Sequence, residues 1–104
     1  MLAAAGYMAA QELRFTPLPG DEVVARLRRI ERGENAARHD TLRTLLEEAG
    51  CAGESLEDQK ARGSKLPNLV CSLPGGGEGK LILVTAHFDK VRAGAGAIDN
   101  WTGA

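Results

Sequence analysis

The chain has 104 residues, 43% hydrophobic, 26% charged and 4% aromatic. That balance is ordinary for a globular protein and excludes a disordered tail or a collagen-like polymer. Thirteen Lys and Arg against fourteen Asp and Glu leave a net charge of -1, so no basic surplus draws in nucleic acid or an anionic membrane, and so few aromatics argue against a base-stacking platform.

Residues 1–10, MLAAAGYMAA, are small and apolar but too few to cross a bilayer. Two readings of residues 1–15 stand side by side. One is the remnant of a secretory signal with Met8-Ala9-Ala10 as a loose cleavage site; the other is a frayed N-terminus or a buried helical turn. After a linker bearing Pro17 and Pro19, Val23, Val24, Leu27 and Ile30 fall on one helical face, with Arg26, Arg28, Arg29 and Glu31 opposite. The arginines read as a solvated face. A second helix follows the Arg32-Gly33 break: Leu42, Leu45, Leu46 and Ala49 repeat at helical spacing, and Gly50 stands where a terminating glycine belongs. Both helices read as scaffold.

From Cys51 the chain turns polar, with a short edge strand expected around Ser55–Lys60. Asn68–Leu73 reads as a strand, Pro74–Gly79 as a turn and Lys80–Ala86 as a second strand, close enough for an antiparallel hairpin. Leu81–Val84 is continuously apolar, as expected of a strand buried on both faces of a sheet. The two N-terminal helices can cover only part of such a strand, so the chain reads as the front part of a larger α/β domain. A complete small α+β domain is the alternative.

Three features invite chemistry. Gly75-Gly-Gly-Glu-Gly-Lys80 resembles a phosphate-binding loop only superficially: Pro74 stands where the first glycine is needed, Leu81 replaces Ser or Thr, and a strand rather than a helix is expected to follow. The turn is structural. Cys51 and Cys71 are not spaced as a redox pair. In an exported chain they would bridge a loop of about 20 residues, whereas in a reducing compartment Cys71 would be a small core residue. Third, His87 and Asp89 follow the apolar strand on one side of it, with Phe88 on the other. A carboxylate two residues on can hold one imidazole nitrogen and leave the other free for a metal. Asp99 comes twelve residues after His87, beyond a loop rich in Gly and Ala that can fold it back. One imidazole and one carboxylate are typical zinc ligands. By spacing alone, a hydrogen-bonded strand-end histidine explains His87 equally well.

Taken together, three blocks resemble the front half of the co-catalytic zinc aminopeptidases, a family that includes glutamate carboxypeptidase-like enzymes and has the glutaminyl cyclases as relatives. They are Asn68-Leu-Val-Cys-Ser-Leu-Pro-Gly75, Leu81-Ile-Leu-Val-Thr-Ala-His-Phe-Asp89 and Gly96-Ala-Ile-Asp-Asn-Trp-Thr-Gly-Ala104. The resemblance covers roughly residues 66–104; the preceding helices match only in position. It implies the N-terminal part of a three-layer α/β/α peptidase domain with a mixed central sheet, residues 16–104 being an incomplete portion of that single domain. It further implies that His87 is a terminal ligand of one zinc, that Asp89 orients His87, that Asp99 bridges two zinc ions, and that the Asp99-Asn100 peptide is cis.

The family's glutamate pair, further acidic ligand and distal histidine all lie after the equivalent of Asp99. Glu47 and Glu48 lie upstream on a helix and cannot fill those roles, and His39 reads as a helix-face residue rather than the missing ligand. The expectation is therefore a fragment of a secreted or periplasmic zinc exopeptidase acting on peptide substrates, inactive in isolation for want of a general base. The alternatives are a non-catalytic binding domain on the same fold, or a self-contained small α+β domain without metal.

Overall fold

A computed structural model describes residues 16–30, 33–77 and 79–104. The signal-remnant and frayed-terminus readings of residues 1–15 lie outside these. The described residues form a mixed α/β arrangement: helix α1 (Gly20–Arg28), helix α2 (Asn35–Glu48), strand β1 (Leu56–Gln59) and strand β2 (Asn68–Cys71), with single 3-10 turns at Gly53–Ser55 and Trp101–Gly103. No helix among them is long and apolar enough to cross a membrane.

Helix α1 starts behind Pro19, with Asp21 and Glu22 in its first turn and Arg26 and Arg28 in its last, each charge complementing the helix dipole. Its apolar face is lightly covered. Val23 and Val24 remain exposed, and the burial falls on Ile30, in the turn just past the helix. Arg26 pairs with Glu22 one turn away and Arg29 with Glu48 of α2, on the surface as the sequence suggests. Such pairs add little stability.

Helix α2 closes as its sequence predicts. Gly50 takes φ +98°, its N–H donates to the Glu47 carbonyl at 3.0 Å, and the Cys51 N–H donates to the Leu46 carbonyl at 2.9 Å. These are the two bonds of a Schellman motif, which needs a left-handed residue at this point. The chain then passes into a disulfide between Cys51 and Cys71, 20 residues apart in sequence. It pins the end of α2 to the end of β2. In the chain-entropy model a loop of this length contributes about 3 kcal/mol. The Cys51→Ser/Cys71→Ser variant should lose about that much in urea unfolding, and dithiothreitol should bring the wild type down to the same midpoint.

The sheet corrects the sequence-based hairpin. The partner of β2 is β1, not the 80–86 segment: the two pair antiparallel with Leu56 opposite Cys71 and Gln59 opposite Asn68, and the Ser72 N–H extends the ladder to the Ser55 carbonyl at 2.8 Å. The short edge strand expected around Ser55–Lys60 is thus real. The disulfide and this ladder set the register together, because Cys71 belongs to both.

Leu81–Val84 is a second correction. Instead of lying inside a sheet, these four residues are 76 to 89% exposed and form no ladder with any described strand. The physical reason is the lack of cover. A strand apolar on both faces gains from pairing only when layers lie above and below it, and a two-stranded sheet with a polar β1 offers neither. The buried apolar side chains among the described residues are instead Ile30, Cys51, Leu56 and Trp101.

Candidate metal centre

The apolar stripe of α2 does not begin at Leu42. One and two turns earlier the same face carries Asn35, Arg38 and His39, and Arg38 and His39 are the buried residues of the helix. These polar side chains grip the irregular segment that follows His87. A segment outside helix and sheet must find other partners for its backbone groups, and α2 supplies them. Asn35 acts as a backbone mimic: its Nδ2 donates to the Lys90 carbonyl at 3.1 Å, and its Oδ1 accepts from the Lys90 N–H at 2.8 Å.

Arg38 is wholly buried and does the larger share. Its Nε donates to the Phe88 carbonyl, Nη1 to that of Ala95 at 2.9 Å and Nη2 to that of Gly96 at 3.0 Å. The guanidinium also lies 5.1 Å from the centroid of the Trp101 ring, close enough for a cation–π contact. Burial pulls the pKa of Arg38 down, and the nearby Asp89 carboxylate works against that shift. The side chain remains a cation.

His39 is on the helix face as expected, but inside rather than outside. Its two ring nitrogens face Asp40 at 3.2 Å and Asp58 at 3.1 Å, and its ring meets Phe88 edge-on at 5.7 Å. It therefore serves the packing of Phe88 and does not join His87. Asp58 is held below the usual carboxylate range chiefly by its hydrogen bond to Arg43, with His39 adding to the effect.

Behind this support stand the residues singled out by sequence. His87 and Asp89 are exposed while Phe88 turns inward, the alternation expected of extended backbone. His87 Nδ1 lies 3.2 Å from Asp89 Oδ1 and Nε2 lies 3.1 Å from Asp99 Oδ1. A neutral imidazole carries one N–H. With a proton on Nε2 the 3.1 Å separation is a hydrogen bond; with the proton on Nδ1, given to Asp89, two electron donors face each other, an arrangement that a shared cation would stabilise. The spacing suits one: ligands about 2.0–2.1 Å from a tetrahedral zinc stand roughly 3.3 Å apart.

Asp99 is brought back by a tight turn. The Trp101 N–H donates to the Gly96 carbonyl at 3.3 Å and the Thr102 N–H to that of Ala97 at 3.0 Å. The Asp99-Asn100 peptide is cis, as the family resemblance implies. The flanking glycines make room. A Cβ on Gly96, which has φ +61°, would meet Lys90 Cβ at 2.7 Å; one on Gly103 would run into the Asn100 side-chain amide. Asn100 needs that space, because its Nδ2 reaches the His87 carbonyl at 3.4 Å.

The donor set is compatible with a metal ion as far as it goes: His87 and Asp99 converge, and Asp89 faces the other imidazole nitrogen. Among the described residues no group of three or more such ligands gathers. Asn35 and Arg38 were missed by motif reasoning. Their signal was the phase of the α2 stripe, which runs on in polar residues before Leu42. Comparison with protein-family models, curated proteins and solved structures gave no match.

Proposed function

We propose that these residues are the leading part of a secreted or periplasmic zinc-dependent exopeptidase, aminopeptidase-like and built on a three-layer α/β/α domain. The carrying observation is that His87 Nε2 and Asp99 Oδ1 stand 3.1 Å apart while Asp89 faces the other imidazole nitrogen. The exposed apolar run Leu81–Val84 also supports it, since such a run is suited to the interior of a wider sheet. The disulfide agrees with an oxidising compartment.

In this role His87 and Asp99 hold metal, and Asp89 keeps the His87 tautomer and ring orientation fixed. Bound zinc would supply a water of lowered pKa and polarise the scissile carbonyl of a peptide substrate. The glutamate that serves as general base in that family has no assigned counterpart among the described residues, so these residues alone are expected not to hydrolyse peptides.

The test uses the full-length protein. It should hold about two zinc ions per chain and cleave aminoacyl anilides, with both properties lost in His87→Ala and Asp99→Ala. Asp89→Asn should weaken metal affinity about 10- to 100-fold while leaving the fold intact. Zinc without hydrolysis of any peptide substrate would favour a binding domain on the same fold. Absence of both zinc and hydrolysis would overturn the peptidase assignment.

A further inference from the structure

We propose that Arg38 is the positioning residue of the His87–Asp99 pair, its guanidinium tying the chain just after His87 to the chain just before Asp99. This rests on the metal-site assignment above but makes a separate claim: helix α2 is part of the site and not merely scaffold.

The twelve-residue separation of His87 and Asp99 could leave them at many distances. Two hydrogen-bonded points fix the connecting segment at its ends. Arg38 Nε holds the carbonyl of Phe88, one residue past the histidine, while Nη1 and Nη2 hold those of Ala95 and Gly96, where the turn to Asp99 begins. All three donors belong to one planar, rigid fork, so the two ends cannot separate without breaking bonds to it. Asn35 grips Lys90 between them, and the Trp101 ring beneath the guanidinium keeps the fork from tilting. Its three donors all go to backbone carbonyls rather than to the His87 or Asp99 side chains, so it acts through the backbone.

Lysine at this position keeps the charge but cannot present three donors in a fixed plane, which makes Arg38→Lys the discriminating variant. The full-length protein should be studied by NMR in two arms, with and without zinc. In the metal-free arm, the wild type should show a nuclear Overhauser contact between the His87 ring and Asp99, and Arg38→Lys and Arg38→Met should lose it. Leu46→Ala, on the same helix but away from the segment, should lower stability and keep the contact.

In the zinc arm, Arg38→Lys should bind at least tenfold more weakly than wild type, and Leu46→Ala should bind like wild type. A folded Arg38→Lys that keeps both the contact and wild-type affinity would overturn the positioning role. If Arg38→Met fails to fold, Arg38→Lys and Asn35→Ala carry the same comparison. Should the wild type show the contact but no zinc-dependent shifts, the metal assignment fails, and the metal-free arm still decides the role of Arg38.

Discussion

Replacing Trp101 with alanine should cost about 3–5 kcal/mol, the usual range for removing a large buried aromatic. Trp101 is among the most buried apolar residues described, and three elements depend on it. Its Nε1–H donates to the Arg26 carbonyl in α1 at 3.3 Å; its ring faces Arg38 of α2; its own backbone closes the turn carrying Asp99. It lines an apolar groove of about 280 Å³ together with Leu27, Leu42 and Leu45, so truncation would enlarge a space already present rather than let the site collapse. Trp101→Phe should retain most of the packing and lose about 0.5–1.5 kcal/mol for one hydrogen bond, since the Arg26 carbonyl still accepts from the Arg29 N–H. Urea unfolding followed by far-UV circular dichroism suits both variants, since the mutation removes the fluorophore.

Gly96→Ala should come close to that effect, at roughly 2–5 kcal/mol, by a different route. The left-handed φ of +61° penalises any Cβ, and this one would approach Lys90 Cβ to 2.7 Å, the Asp99 carbonyl to 3.2 Å and Arg38 Nη1 to 3.3 Å. The Lys90 backbone is anchored by Asn35 and Asp99 lies within the turn closed by the Trp101 and Thr102 N–H groups, so relief requires the turn to open and Asp99 to withdraw from His87. Gly94→Ala is the control: its φ is +81°, but nothing lies within 4 Å of the added carbon. It should lose only the conformational penalty of about 1–2 kcal/mol. Equal losses in the two variants would show that the close approach at Gly96 has no energetic weight.

Much of the local structure was legible beforehand because near neighbours decide it. The span of α2, its termination at Gly50 and a strand beginning at Asn68 each follow from residues within a turn or two of one another. His87, Asp89 and Asp99 were singled out only as parts of three blocks in order. A His-x-Asp by itself is equally a satisfied strand end. The apolar run at Leu81–Val84 misled for a physical reason: continuous hydrophobicity reports what a strand would gain from cover, not that the cover is there.

Sequence alone thus determined the two helices and the Gly50 terminus of α2, and singled out His87, Asp89 and Asp99. The tertiary structure decided which strand pairs with β2, that the cysteines are joined, and that Arg38 lies inside. It also decided that His87 and Asp99 meet. Each of these depends on contacts between residues 9 to 58 positions apart. No local periodicity records such contacts, because a buried guanidinium is stabilised only by carbonyls that the rest of the chain delivers to it.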